Sequence, residues 1–191
     1  MASPRVGRAA AVTLPIILAI ILTLFGIGYA ITVVLGLPRS LGLPVVARGL
    51  GGVAVMLGLG AAAWMFRLRG AANVIVSTYV TFTKIFRRTP VAERSERTEL
   101  LVVGGPQKYV RHPLYAGIVL MTFGWAILSS STFVLVATVV VFAWFRFLLI
   151  PFEEKELNAL FGDQYRKYCD ATPAMVPFTK RKKRPPAVTL E

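Results

Sequence analysis

The sequence predicts an all-α integral membrane protein with four transmembrane helices, or five if residues 73–88 also cross the bilayer. Of the 191 residues, 55% are hydrophobic and only 16% are charged, whereas about 25% of a soluble domain is charged. The formal net charge is +13, and no acidic residue precedes Glu93. The cations stand in short clusters between long uncharged runs, which disfavours a soluble nucleic-acid-binding protein.

Two long uncharged runs predict the first two spans. The run from Ala9 to Pro38 has 30 residues. A bilayer core needs about 20 residues in a helix, and the apolar region of a signal peptide has only about 7–15. The run from Gly49 to Phe66 has 18 residues. Its small residues Ala54, Gly58 and Ala62 recur at every fourth position, a spacing that lets two helix backbones approach closely.

Residues 73–88 have the pattern of an amphipathic helix. The apolar residues Ile75, Tyr79, Phe82 and Phe86 follow helical spacing, and polar residues occupy the opposite face. This pattern is typical of a helix that lies in the membrane interface. The alternative is that the same residues form a fifth, short span.

The 33 uncharged residues from 113 to 145 predict a helical hairpin that turns at Ser129–Ser131. Its first arm is expected at Leu114–Leu128, which is short for a full span. Its second arm is expected at Thr132–Ile150. A cytosolic C-terminal helix is expected after the hairpin, over Glu153–Phe161, where the chain becomes polar.

The cations predict the orientation of these spans. Four spans place both termini on one side, together with the nine Lys and Arg residues of segment 67–111. The positive-inside rule assigns that side to the cytoplasm. The chain divides into two spans with the interfacial helix (1–88), the hairpin region (89–178) and a basic, disordered tail (179–191). The tail is expected to bind anionic inner-leaflet lipids.

Polar residues suited to chemistry occur in two segments on the predicted cytoplasmic side, Gly104–Gly117 and Glu153–Tyr168. The hairpin returns the second segment to the first, so five side chains are expected to converge at the membrane edge: Arg111, His112, Tyr115, Glu153 and Glu154. The residues alone also allow a second interpretation, in which these groups only anchor the chain at the interface. With a single histidine and a single cysteine, Cys169, no metal site or disulfide framework is predicted.

The order of these segments resembles a known family. The motif RHPLYAG, a hairpin, and then EE, LFGDQYRKY and two later prolines are similar to the isoprenylcysteine carboxyl methyltransferases and the related membrane phospholipid methyltransferases, over about residues 99–178. The resemblance implies an integral membrane methyltransferase that uses S-adenosylmethionine. Its acceptor would be a lipophilic molecule that enters from the bilayer, with an isoprenylcysteine-like carboxylate or another nucleophile.

The resemblance also implies the site residues. Glu153 would pair with the ammonium of the cofactor, and His112 or the helix N-terminus would take its carboxylate. The chemistry of the residues, rather than the resemblance, suggests that Arg111 or Arg146 would orient an acidic or phosphate-bearing substrate, and Glu154 is also expected to be catalytic. Tyr109 stands in for the tyrosine that the family carries before the motif. The residues expected to bind the cofactor are Glu99, Leu100, Leu101, Val102, Gln107, Tyr109, His112, Pro113, Leu114, Tyr115 and Glu153.

Two rival functions fit parts of the pattern. Sterol-type membrane reductases, which use NADPH, resemble the RHPxYxG motif and the C-terminal tyrosines, although such enzymes are usually longer. A non-enzymatic membrane protein that binds lipid or a partner would need only the spans and the basic tail. In that case the residues of the two polar segments would be dispensable for function.

Overall fold

The computed structural model describes residues 4–87, 101 and 103–177 of the protein. Every regular element in these residues is helical, which confirms the predicted all-α class. A three-ten turn, Gly105–Lys108, precedes the fourth helix, and a π-helical turn, Phe145–Leu149, joins the fifth to the sixth. The helices are α1 Pro4–Val34, α2 Val45–Arg69, α3 Ala71–Arg87, α4 Pro113–Ser129, α5 Thr132–Trp144, α6 Ile150–Phe161 and α7 Asp163–Ala171.

Three helical stretches of the described chain are long and apolar enough to span a membrane: Val6–Val34, Val45–Arg69 and Thr132–Phe161. The protein is therefore a membrane protein. Helix α4 is also apolar but has only 17 residues, about 25 Å of helix against a bilayer core of about 30 Å. The short first arm of the hairpin is thus confirmed, and a fourth crossing by α4 stays a prediction.

The long helices pack side by side in the order α1, α5, α4, α2. The loop between α1 and α2 meets the serine turn between α4 and α5. There the N–H of Leu41 donates to the carbonyl of Ser130 at 2.8 Å, and Ser40 and Ser131 form an isolated β-bridge. We call this the loop end of the bundle. The end of α2 and the start of α4 lie at the opposite end, which we call the site end.

Glycines allow α2 and α4 to approach closely. A Cβ atom at Gly58 would lie 2.6 Å from the carbonyl oxygen of Gly117, and one at Gly124 would lie 2.6 Å from the backbone nitrogen of Val55. Val55 precedes Gly58 in α2, but its partner Gly124 follows Gly117 in α4, so the two helices are antiparallel. The predicted small-residue face is confirmed, and it packs against α4 of the same chain.

The second arm of the hairpin was predicted to end at Ile150, and this prediction is wrong. The arm continues without a break from Thr132 to Phe161, and Pro151 lies inside this stretch. Proline lacks an N–H and its ring crowds the carbonyl of the preceding turn, and the π-helical turn opens the hydrogen-bond ladder directly before it. The extra residue of that turn rotates all later side chains by about 100° around the helix axis. The separate C-terminal helix is α7.

Most of the segment predicted to be an amphipathic helix lies in helix α3, which ends at Arg87; its amphipathic placement stays a prediction. The helix begins at Ala71, directly after Gly70 with φ of 75°, and packs against α1 and α2. Its depth in the membrane stays a prediction. The predictions for residues 89–100 and for the basic tail at 179–191 fall outside the described residues.

Candidate active site

The candidate site is built around the first turn of α4. Pro113 occupies the first helical position and His112 is the N-cap residue, as expected for a proline whose missing N–H costs nothing there. The backbone N–H groups of Arg111 and His112 donate to the carbonyls of Pro173 and Ala174, both at 2.9 Å. The segment after α7 therefore holds the start of α4 in place.

Arg111 is locked inside the protein by Glu154 and by the end of α7. Its Nε atom donates to Glu154 Oε1 at 3.0 Å, and its Nη1 atom donates to the carbonyls of Cys169, at 3.0 Å, and of Thr172. The side chain is only 8% exposed. Burial lowers the pKa of Arg111, but the hydrogen bond and charge of Glu154 outweigh it and leave the pKa raised. The donors of Arg111 are therefore engaged by groups of the protein itself.

His112 lies between two carboxylates. Its Nδ1 atom is 3.3 Å from Glu153 Oε2, and its Nε2 atom is 3.5 Å from Glu154 Oε1. The second contact is an ion pair without hydrogen-bond geometry, because the buried Nε2 has no hydrogen-bond partner. Burial lowers the pKa of His112, but the two glutamates outweigh it, so the net pKa is raised above its usual value. The two carboxylates therefore stabilise the imidazolium form of His112.

Tyr115 connects the charged groups to the apolar core. Its hydroxyl donates to Glu153 Oε1 at 2.5 Å. Its ring stacks on His112, with centroids 5.6 Å apart, and on Phe145, with centroids 4.5 Å apart. Phe145 belongs to an apolar cluster formed by Leu24, Val141, Phe145, Leu149, Ile150 and Met175. The predicted convergence of five polar side chains is thus confirmed, and it borders directly on apolar surface.

Helix α7 supports the segment that leads into the motif. The hydroxyl of Tyr168 donates to the backbone carbonyl of Gln107 at 2.6 Å, and Gln107 itself is buried. Tyr165 packs edge-to-face against Tyr168. Burial raises the pKa of both tyrosines, so both remain protonated donors. The sequence placed these tyrosines in the second polar segment but did not indicate that they brace the first.

Two candidate residues lie apart from this cluster. The side chain of Tyr109 is 52% exposed, so nothing in the structure supports its role as a replacement for the family tyrosine. Arg146 is exposed and its guanidinium lies over the ring of Phe147, 5.8 Å from the centroid. The structure does not bring Arg146 to the cluster, because its position in the π-helical turn points outward while Phe145 points inward.

The remaining predicted cofactor residues divide by their placement. Pro113 is buried and Leu114 is half-buried in the first turn of α4, and Leu101 is half-buried in the segment before the three-ten turn. Glu99, Leu100 and Val102 lie outside the described residues. Phe145, which the sequence analysis missed, completes the aromatic stack. The sequence carried no signal for it, because eight residues before Glu153 is about 80° away from the same face of a regular α-helix, and the π-helical turn lies between the two residues.

Comparison with known proteins places the chain in a family. The model of the family described as phospholipid methyltransferase matches residues 47–164, more than half of the chain. Among curated relatives, protein-S-isoprenylcysteine O-methyltransferase B of Arabidopsis thaliana is 34% identical over 85 residues, which cover 44% of this chain and 43% of the relative. Methanethiol S-methyltransferase 1 of Bradyrhizobium diazoefficiens is 29% identical over 73 residues, which cover 38% and 25%.

The chain spans less than half the length of these curated relatives. No solved structure matches it significantly. The family match runs from the small-residue face of α2 to the start of α7, and so includes the whole charged cluster and the hairpin that forms it. This chain belongs to the phospholipid methyltransferase family.

Proposed function

We propose that the protein is an integral membrane methyltransferase that uses S-adenosylmethionine and methylates a lipophilic acceptor at the cytosolic membrane face. The observation that carries the proposal is the cluster in which Glu153 and Glu154 of α6 meet Arg111, His112 and Tyr115 at the start of α4. Family membership implies a methyl donor. The activities in the relatives' names transfer a methyl group to an oxygen or a sulfur acceptor.

The residues present fit that cofactor, which carries an ammonium, a carboxylate and a positive sulfonium. Arg111 offsets the charge of Glu154, which leaves Glu153 as the carboxylate to meet the ammonium. The Glu153 side chain is 25% exposed, so a ligand can reach it. When bound, the cofactor supplies an electrophilic methyl group.

The unequal ends of α2 and α4 at the site end would bring a polar cofactor and an apolar acceptor together. From the contact between Gly58 and Gly117, α2 continues for eleven residues to Arg69, whereas α4 ends four residues away at Pro113. The difference of seven residues is about 10 Å along the axis. The charged cluster would therefore lie below the end of α2, at the depth where headgroups meet acyl chains.

The chain's own residues would position the reacting groups and exclude water from them. Tyr115 and His112 hold the Glu153 carboxylate in place from two sides. Phe145, Leu149 and Ile150 close the apolar side of the cluster. An acceptor that enters from the bilayer along this surface would meet the methyl group in fixed geometry, and proximity of this kind lowers a displacement barrier by several kcal/mol. A dry environment strengthens the electrostatic interactions further.

Calorimetry on the detergent-solubilised protein tests the proposal. We expect S-adenosylhomocysteine to bind and NADPH not to bind. Glu153→Gln should abolish binding, whereas Asp163→Asn, on the exposed start of α7, should retain it. Binding of NADPH alone would overturn the proposal in favour of a reductase. Binding of neither ligand would overturn both enzyme functions and favour the non-enzymatic alternative.

A further inference from the structure

Both oxygens of the Glu153 carboxylate are engaged by side chains of the motif at the start of α4. The Tyr115 hydroxyl donates to Oε1 at 2.5 Å, and Nδ1 of His112 lies 3.3 Å from Oε2. Tyr115 is a neutral donor, since a phenol ionises only at about pH 10, whereas protonated His112 brings a positive charge. A ligand ammonium that binds Glu153 therefore meets His112 as a competing cation.

The formal charges of the cluster balance while His112 is protonated. Nε of Arg111 donates to Glu154 at 3.0 Å, so this pair is neutral, and His112 is the cation that balances Glu153. An added ammonium would place two positive charges on one carboxylate, and a like charge at contact distance disfavours an imidazolium. Arg111 cannot relieve the excess because a guanidinium keeps its proton in proteins. His112 is the group that can lose one.

The protonation state of His112 depends on the two glutamates rather than on water. Its side chain is only 6% exposed, and burial by itself favours the neutral imidazole. Glu153 and Glu154 of α6 oppose that effect and raise the pKa of His112, while its ring stacks on Tyr115. Three further titratable groups act on Glu154 or on Tyr115: Arg111, Tyr165 of α7 and Arg69 of α2. Once another cation balances Glu153, burial is the larger effect on His112.

We infer that binding of the cofactor's ammonium at Glu153 releases the proton of His112 Nδ1 to solvent, and that the neutral imidazole then accepts a hydrogen bond from the same ammonium. An ammonium has three donors, enough for Glu153 Oε2 and His112 Nδ1 together. The proton on Nε2, which lies 3.5 Å from Glu154, stays in place. This inference rests on the proposed function. It assigns His112 to the ammonium, in place of the cofactor carboxylate that the resemblance implies.

The two assignments of His112 predict opposite changes in its pKa. A ligand carboxylate at the ring would stabilise the imidazolium and raise the pKa of His112 further, whereas a ligand ammonium would lower it. The geometry supports the ammonium. Glu153 and Glu154 flank the ring at 3.3 and 3.5 Å, so an anion placed there would be repelled from both sides.

Histidine-selective NMR of the detergent-solubilised full chain reads this proton directly, because His112 is the only histidine of the sequence. The protein is purified without a histidine tag, and its two ring-nitrogen signals are followed from pH 5 to 9 with and without saturating S-adenosylhomocysteine. With the ligand, the midpoint of the His112 titration should fall by about 1–3 pH units, and the neutral ring should carry its proton on Nε2. An unchanged or raised midpoint would overturn the inference.

Calorimetry adds a comparison between variants. Between pH 5.5 and 6.5 the affinity of the wild type for S-adenosylhomocysteine should rise by about 3- to 10-fold, because binding releases a proton. His112→Gln has no proton to release, so its affinity should change by less than about twofold over the same interval. Arg166→Gln is the matched control, since it removes an exposed charge from α7, and it should follow the wild type.

The outcomes separate this inference from the proposed function. If S-adenosylhomocysteine binds and its affinity has the same pH dependence in the wild type and in His112→Gln, the inference is wrong and the proposed function stands. If His112→Gln is recovered only as unfolded protein, the NMR titration of the wild type decides alone. A ligand-free ring that is already neutral at about pH 6 also overturns the inference. Failure of the wild type to bind S-adenosylhomocysteine overturns both.

Discussion

The hydroxyl of Tyr115 donates a 2.5 Å hydrogen bond to Glu153 and so joins the first turn of α4 to the first turn of α6. The same ring is stacked between His112 and Phe145. The Tyr115 hydroxyl therefore holds the Glu153 carboxylate, and the two faces of the Tyr115 ring pack against His112 and Phe145. Because the two roles use different atoms, they can be separated by substitution.

Tyr115→Phe should impair ligand binding without unfolding the protein. The phenyl ring preserves both stacks, but Glu153 loses its hydroxyl donor. A hydrogen bond to a charged group is worth about 1.5–3 kcal/mol, so the affinity for S-adenosylhomocysteine should fall roughly tenfold or more. Calorimetry measures the affinity and a thermal scan in detergent checks the fold. Tyr109→Phe, at an exposed site, should change neither, and an unchanged affinity in Tyr115→Phe would contradict the assigned role.

Arg111→Gln should destabilise the protein strongly. The substitution leaves Glu154 partly buried without its partner and frees two carbonyls at the end of α7. Loss of one partner of a buried pair costs about 3–5 kcal/mol, and we expect about 2–3 kcal/mol because Glu154 is partly exposed. Unfolding in a denaturing detergent series measures the loss. Arg166→Gln breaks the exposed pair with Asp163 and should cost less than about 0.5 kcal/mol. Equal losses in the two variants would disprove the buried clamp.

The contribution of His112 to stability should depend on pH. Its pKa in the folded protein is raised above the ordinary value of about 6.5. Stabilisation by the imidazolium is therefore fully present below pH about 6.5 and is lost as the pH rises through the raised pKa. The measurement is the difference in melting temperature between the wild type and His112→Gln from pH 5.5 to 9. The difference should shrink as the pH rises; a difference that grows would show that His112 is buried in its neutral form.

The packing of α2 on α4 can be tested with two glycines of the same helix. Gly58→Ala should destabilise the protein by about 1–3 kcal/mol, because its Cβ would lie 2.6 Å from a backbone oxygen of α4. Gly60→Ala is the control, since nothing lies within 4 Å of the added atom, and it should be neutral or stabilising. Unfolding midpoints of the two variants give the comparison. Similar midpoints would show that α2 and α4 are not in close contact.

Much of this architecture could be predicted from periodicity and charge. Uncharged runs marked the spans, the serines marked the hairpin turn, and the hairpin alone implied that the motif at Arg111–Tyr115 would meet Glu153 and Glu154. These inferences succeeded because they depend on chain length and on residues close in sequence. The small-residue face of α2 was recognised for the same reason, whereas its partners Gly117 and Gly124 on α4 were not.

The parts that could not be predicted depend on contacts between distant segments. The second arm was predicted to end at Ile150, but a π-helical turn carries the helix through Pro151 to Phe161. Arg146 lies within that turn and is exposed. Arg111 looked like a ligand for substrate until Cys169 and Thr172 proved to occupy its donors.

The central claim is that Glu153 lies in the cofactor site of a membrane methyltransferase. Its most direct test is transfer of a labelled methyl group from S-adenosylmethionine to a membrane lipid extract by the purified protein. We predict label in an organic-soluble product with the wild type and with Asp163→Asn, and none above background with Glu153→Gln. Transfer by Glu153→Gln at the wild-type rate, or no transfer by the wild type, would contradict the claim.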